Sequence, residues 1–220
     1  MNETPSPRPD EFAAMRTAMV VSQLRPNNVT GAALLAAMGR VPRELFVPAG
    51  RRAVAYTDRQ IPLGGERALN PPMTTALLLD AADLRADTRV LIVGAATGYA
   101  LAVASAMSEH VTGLECDADL AAQAAENVPS VRLIEGALEI GVPVHGPYDA
   151  IVIDGAVELV PQALITQLAP DGRLTTAVVE GGIARLAVGR RGGTGFALSA
   201  FTEAEAVVLP GFVRPREFVF

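Results

Sequence analysis

Apolar residues recur along this chain in two rhythms. Between Asp10 and about Met38 they fall at helical spacing, with Phe12, Met15, Met19 and Leu24 in one group and Val29, Leu34, Leu35 and Met38 in another. Pro26 and the Asn27-Asn28 pair mark the break between the groups, and Thr30 suits the N-cap of the second helix. The stretch from Val41 to Ala68 is rich in turn residues, with Pro42, Pro48, Pro62 and Gly64-Gly65, and reads as a segment that wraps a core. Pro71-Pro72 then opens a helix over 73–82. Beyond it, short apolar runs alternate with helical stretches in the rhythm of βαβ units. Strands are predicted at 89–93, 111–115, 131–135, 150–154 and 173–179, and helices at 99–107, 119–127 and 161–168. Later runs at 185–189, 196–201, 206–209 and 217–220, separated by Gly181-Gly182 and Gly192-Gly193, read as more antiparallel strands. The expectation is an α/β fold: a mostly parallel sheet with helices on both faces, a helical N-terminal cap, and a ligand crevice at the carboxyl ends of the strands.

Composition narrows the chemistry. The chain has 220 residues, enough for one good-sized core, and carries a net charge of −6 with its basic residues scattered, so no nucleic-acid footprint is expected. All 18 basic residues are arginine, which excludes Schiff-base chemistry and a phosphate-loop lysine. The single cysteine, Cys116, excludes an intrachain disulfide, and no Cys/His spacing suggests a metal site. No apolar run approaches the ~20 residues of a membrane span, and Met1–Asp10 lacks a signal-peptide core, so a cytoplasmic protein is expected, with residues 1–10 frayed.

The segment 89–100 is the most informative. A buried-strand pattern runs into Gly94-Ala95-Ala96-Thr97-Gly98-Tyr99 and then into an alanine-rich helix, the junction at which a nucleotide-like cofactor lies against a helix N-terminus. The loop has Ala96 where a three-glycine version has its middle glycine. Glu115 ends the second strand 21 residues after Gly94, close to the spacing of about 20 at which an acidic side chain meets ribose hydroxyls. An ordinary exposed glutamate at a strand end is the plainer alternative.

Wider patterns give these features a context. Gln23-Leu24-Arg25, Ala37-Met38, Val41-Pro42-Arg43-Glu44-Leu45-Phe46-Val47-Pro48, Ala55-Tyr56-Thr57-Asp58 and Ile61-Pro62-Leu63-Gly64 resemble the N-terminal half of protein-L-isoaspartate O-methyltransferases. Gly98-Tyr99, Gly136, Gly141, Pro147-Tyr148-Asp149 and Gln167-Leu168 follow in the same order. The resemblance covers about 19–178, and its proline-flanked 41–48 run is the most specific part. It implies a Rossmann-like class I methyltransferase fold, with residues 11–84 as cap and substrate-covering segment and 85–220 as the core. It also implies S-adenosylmethionine as cofactor and an isoaspartyl-containing protein or peptide, or another carboxylate, as acceptor. Carried onto this sequence, the cofactor would meet Gly94, Ala95, Ala96, Thr97, Gly98, Tyr99, Glu115, Cys116, Gly136, Ala137 and Asp154. Asn70 would stand at the substrate-associated serine.

The departures fall around that one pocket. Asn70 replaces the serine, Ile92 an acidic residue, Ala96 a glycine, and Gly136-Ala137-Leu138 a Gly-Asp-Gly whose carboxylate would meet the adenine amino group. Glu135 and Glu139 are the nearest substitutes, although solvation suffices to explain both. Asp154 is a candidate for a methionine amino group or a cationic substrate, or simply a turn residue. Tyr56 and Asp58 fall in the wrapping segment, and Cys116 reads as a small packing residue. Three functions stay open: isoaspartyl carboxyl methylation, methylation of a different acceptor, and a former enzyme kept as a binding or regulatory protein. Oligomeric state is not legible.

Overall fold

The computed structural model describes residues 7–193 and 195–213. A helix α1 (Pro9–Ala18) begins inside the stretch expected to fray, because Pro9 sits at a first-turn position and Glu11 reaches back to the Arg8 N–H at 2.8 Å. It continues into a wider π-wound turn, Met19–Leu24. Helix α2 (Ala32–Arg40) is capped by Gly31 rather than Thr30, and the Gly31 N–H is taken up by the Asp80 carboxylate at 3.1 Å. Two 3₁₀ turns, Arg43–Phe46 and Ala49–Val54, carry the wrap, which also contains a hairpin that the sequence did not announce: β1 (Ile61–Gly64) antiparallel to β2 (Arg67–Leu69). Strands of four and three residues with Pro62 inside them give too short a period-2 signal to read.

Helix α3 (Pro72–Ala82) leads to the main sheet, built from β3 (Arg89–Val93), β4 (His110–Glu115), β5 (Arg132–Glu135), β6 (Tyr148–Val157), β7 (Leu168–Glu180), β8 (Ile183–Gly192) and β9 (Gly195–Glu203). Its order is β5-β4-β3-β6-β7-β8-β9, parallel through β7 and antiparallel at β8 and β9. Helices α4 (Tyr99–Ser105), α5 (Ala118–Asn127) and α6 (Gln162–Thr166) supply crossovers. The third ends short of its predicted bound because Leu168 already belongs to β7. The run at 206–209 forms no antiparallel strand; it makes a single parallel bridge, Val208 to Ala156. The run at 217–220 lies outside the described residues.

Both faces of the sheet are covered. Val90 and Ile92 join the larger core with the N-terminal helices, whereas Leu91 and Val93 join a second core with Leu138, Leu164 and Leu209. Alternate side chains of β3 therefore enter opposite cores, and all four are fully buried, each contributing roughly 1.5–3 kcal/mol. The chain reverses its direction of travel across the sheet at β3, with β4 on one side and β6 on the other, so the crevice falls at Gly94, Glu115 and Asp154. No helix among the described residues is long and apolar enough to cross a membrane.

Candidate active site

The loop after β3 has the backbone of a glycine-rich turn. Gly94 and Gly98 take φ of +78° and +98°, and the Gly94 and Ala95 N–H groups both donate to the Leu114 carbonyl at 2.9 and 3.0 Å. A Cβ on Gly98 would come within 3.3 Å of the Ala124 backbone, so glycine is needed there for space as well as for torsion. Ala96 keeps the left-handed conformation of the missing glycine, at φ +49°. That costs an L-residue about 1–2 kcal/mol, and its return is local: the Ala96 N–H donates to Glu115 Oε2 at 2.7 Å.

Glu115 is completely buried at the end of β4. Its Oε1 accepts the N–H of Cys116 at 2.9 Å and of Asp117 at 3.1 Å, while the Arg67 guanidinium grips both carboxylate oxygens. Burial alone would push this carboxyl up, but Arg67 and the Asp117 and Ala96 N–H groups outweigh it and hold Glu115 below the usual carboxylate range. Arg67 reaches the site from β2 and is itself 7% exposed, and its Nε has no hydrogen-bond partner. The two oxygens expected to meet a ribose are therefore engaged by the chain's own arginine.

A second side chain fills the crevice beside it. Leu209, 2% exposed, lies over Gly94, which follows β3, and Gly155, which lies near the end of the neighbouring β6. A Cβ built on Gly94 would sit 2.9 Å from one Leu209 methyl, and one built on Gly155 only 2.5 Å from its Cγ. The segment is fastened by backbone bonds, Ala156 N–H to Val207 O at 2.6 Å and Leu209 N–H to Ala156 O at 3.0 Å. A groove of about 680 Å³ runs outside this plug, lined among others by Arg67, Cys116, Asp117, Val207 and Leu209.

Asn70 and Asp154 meet below the plug. The sheet register breaks between Val152 and Ala156, which frees Asp154 from the ladder. Asn70 Nδ2 donates to the Asp154 carbonyl at 2.7 Å and to its Oδ1 at 3.0 Å, Thr75 donates to the same Oδ1 at 3.1 Å, and Asn70 Oδ1 accepts the Val207 N–H at 2.8 Å. Asn70 is 2% exposed, so its amide is spent inward. Burial raises the Asp154 carboxyl, with the Asn70 and Thr75 bonds and Arg43 opposing it. Arg43, fully buried, donates to the carbonyls of Ala55 and Asn70 and lies 4.5 Å over the Tyr99 ring, which packs edge-on against Phe46.

The remaining candidates scatter. Thr97 donates its hydroxyl to the Phe46 carbonyl at 2.6 Å and takes an Asn127 amide on its own carbonyl at 2.9 Å. Gly136 follows β5 and donates to the Glu115 carbonyl at 2.9 Å, whereas Ala137 is exposed. Cys116 is exposed with its thiol 3.7 Å from Arg67, and burial of its inner side together with Glu115 pushes the thiol up, away from thiolate chemistry. Tyr56 and Glu44 pair with Arg16 and brace the wrap, while Asp58 accepts the Met73 N–H at 3.0 Å. Sequence reasoning missed Arg67 and Leu209. One lies in a hairpin too short to read, the other in a run that looked like an ordinary strand.

Tested against a nucleoside sulfonium, the site does not fit in this conformation. The strand–loop–helix junction and Glu115 are in place, but Arg67 holds the carboxylate and Leu209 holds the space over Gly94.

Comparison with known proteins places this geometry. The family model described as Protein-L-isoaspartate(D-aspartate) O-methyltransferase matches residues 15–203. Among relatives, a protein-L-isoaspartate O-methyltransferase of Methylorubrum populi is 42% identical over 184 residues, covering 81% of this chain and 87% of that protein. One from Gloeobacter violaceus is 40% identical over 165 residues, covering 73% and 80%. A solved protein-L-isoaspartate O-methyltransferase superposes with a TM-score of 0.77 at 24% identity over 89% of this chain and 66% of its own. A Plasmodium falciparum chain assigned to the same activity, solved with S-adenosyl-L-homocysteine, gives 0.75 at 20% identity over 88% and 97%. At those identities the two structures speak to the fold, a class I methyltransferase sheet. With its wrap anchored at Phe46 and its crevice at Gly94 and Glu115, the chain belongs to the protein-L-isoaspartate O-methyltransferase family, whose methyl donor is S-adenosylmethionine.

Proposed function

We propose that this chain methylates the side-chain carboxylate of isoaspartyl residues in proteins or peptides. Family membership carries the reaction class, S-adenosylmethionine-dependent carboxyl O-methylation. The structural observation that supports this acceptor is the docking of the wrap directly onto the cofactor loop. Thr97 bonds Phe46, Arg43 bonds Asn70 and stacks on Tyr99, and Asn70 bonds Asp154. Acceptor-covering segment and crevice thereby form one braced unit, which is what in-line placement of a carboxylate requires.

The chain has little acid–base work to do. A carboxylate acceptor has a reference pKa near 4 and is already the nucleophile at pH 7, so no general base is needed. The residues agree with that economy. His110 opens β4 at its amino end, and His145 lies beside Arg132 at 3.3 Å, both remote from the strands' carboxyl ends. What the chain supplies is exclusion of water and positioning, through the buried Phe46–Tyr99 pair beside the loop and the Arg43 guanidinium over the Tyr99 ring.

The test is methyl transfer by the full chain to an isoaspartyl peptide and to its normal aspartyl twin. Transfer to the isoaspartyl peptide alone is the expected result, and equal transfer to both, or to neither, overturns the assignment. A second reading, a different carboxylate acceptor, draws on Asn70: both ends of its amide are used internally, leaving nothing to greet the isoaspartyl group. Transfer to neither peptide, with methylation of another acid, would decide for it.

A further inference from the structure

The carboxyl ends of β3, β4 and β6 form a crevice whose two recognition features are both taken by the chain itself. Arg67 neutralises Glu115 and grips both of its oxygens, and Leu209 lies on Gly94 and Gly155 where their lack of side chains leaves room. The two contacts come from separate segments, one from the β1–β2 hairpin and one from the segment 204–213. Neither belongs to the rigid scaffold of the sheet. The segment is no strand of the sheet: it is held by one parallel bridge, by the Asn70 bond to the Val207 N–H, by the Thr74 hydroxyl on the Glu205 carbonyl at 2.6 Å, by the Ala204 N–H to the Ala184 carbonyl and the Glu158 N–H to the Phe212 carbonyl, both at 3.2 Å, and by burial of Leu209 and Phe212. The family match ends at residue 203, immediately before it.

We infer that Arg67 and Leu209 act as an internal stand-in for the cofactor, and that S-adenosylmethionine binds only when the 204–213 segment and the Arg67 side chain leave the crevice. The inference rests on the methyltransferase reading above. Its physical basis is competition. A nucleoside needs the Glu115 oxygens that Arg67 holds, and a methionyl chain needs the volume that Leu209 holds, so the closed form has no affinity for either. The observed affinity is then the intrinsic affinity reduced by the fraction of molecules that are open. The closed form also disposes of the buried carboxylate: without cofactor, Glu115 would otherwise stand charged at a site of zero exposure.

Calorimetric titration of S-adenosyl-L-homocysteine into the full chain, alongside hydrogen exchange of the Val207 and Leu209 amides, tests this. Leu209→Ala keeps the ion pair and opens the crevice from one side; it should tighten binding by about 10-fold or more, equivalent to a closed form outnumbering the open one by that factor. Arg67→Ala removes the other contact, with circular dichroism to confirm that it folds. In the unaltered chain, saturating ligand should accelerate exchange at Val207 and Leu209, whose N–H bonds to Asn70 and Ala156 must break. Equal affinity in the unaltered chain and Leu209→Ala, with unchanged exchange, overturns the stand-in and leaves the methyltransferase reading intact. Absence of heat in the unaltered chain and in both variants overturns both.

Discussion

Replacing Glu115 by Gln isolates the charge on which the closed crevice is built. The two side chains have nearly the same shape, so the change removes a charge and an acceptor without opening a cavity. Two arrangements of the amide are available. If its NH₂ takes the Oε2 position, the Ala96 N–H and one Arg67 nitrogen lose their acceptor. If it takes the Oε1 position, the N–H groups of Cys116 and Asp117 and the other Arg67 nitrogen lose theirs. Either way at least two hydrogen bonds to an ionised group disappear, and Arg67 is left charged without its partner. Breaking a buried pair from one side costs about 3–5 kcal/mol, and the lower end applies because Arg67 borders the open groove, where water recovers part of its solvation. About 3 kcal/mol is a large share of the 5–15 kcal/mol typical of a folded domain. Urea unfolding followed by circular dichroism should show the midpoint falling with the m-value unchanged.

The pH dependence fixes the sign. Glu115 in the folded chain lies below its unfolded value, so its contribution is complete above an ordinary carboxylate value of about 4.3 and fades as pH falls through the lower folded value. The stability gap between the original chain and Glu115→Gln should therefore stay level from pH 8 to about 5 and narrow in stronger acid. A gap under about 1 kcal/mol at pH 7, or one that widens in acid, refutes the reasoning.

Two further changes address the same pocket. Ala96→Gly removes the left-handed penalty of about 1–2 kcal/mol but lets the unfolded chain gain about 0.4–1 kcal/mol of entropy, so a net stabilisation of roughly 0.5–1 kcal/mol is expected in the same unfolding assay, and a loss of stability would contradict the strain assigned to φ +49°. Asn70→Ala strands the Val207 N–H and frees Asp154, at roughly 1–3 kcal/mol for each buried group left unpaired, and should speed hydrogen exchange at Val207; an unchanged midpoint and exchange rate would show that Asn70 fastens nothing.

What the sequence made legible was whatever is local. The run Arg89–Val93 is the observed third strand to the residue, because four consecutive large apolar side chains between Arg89 and the turn at Gly94 need no tertiary information to be recognised. Glu115 at the end of its strand and the turn Gly94–Gly98 were legible for the same reason: spacing along a strand–loop–helix unit sets where they lie. What Glu115 touches was not legible. Arg67 is 48 residues away in a hairpin whose strands are too short to show a period, and its apposition depends on how the wrap crosses the sheet. Leu209 was hidden differently. Its run has the β-rich composition of a strand, yet β9 forms the sheet edge and the run turns back over β6 instead, a choice made by the room above Gly94 and Gly155.

That geometry also gives the departures from the family pattern a common physical setting. Ile92 is fully buried among the cap residues, where an unpaired carboxylate would carry a large desolvation cost. Ala96 keeps the glycine backbone and turns its N–H onto Glu115, reinforcing the carboxylate that Arg67 neutralises. Asn70 carries its donor and its acceptor on two separate atoms, where serine has both on one oxygen, and uses them to tie Asp154 to the segment carrying Leu209. Three of the four substitutions are thus accommodated by a closed crevice: one adds apolar packing beneath it, one strengthens the grip on Glu115, and one fastens the strap, whereas nothing in the structure explains the exposed Ala137. A site altered at random around a lost cofactor would leave buried polar groups stranded at those positions. Here the side-chain nitrogen and oxygen of Asn70 and the Ala96 N–H are partnered; the buried atoms that lack a partner, Arg67 Nε, Arg43 Nη1 and the Tyr99 hydroxyl, lie on other residues.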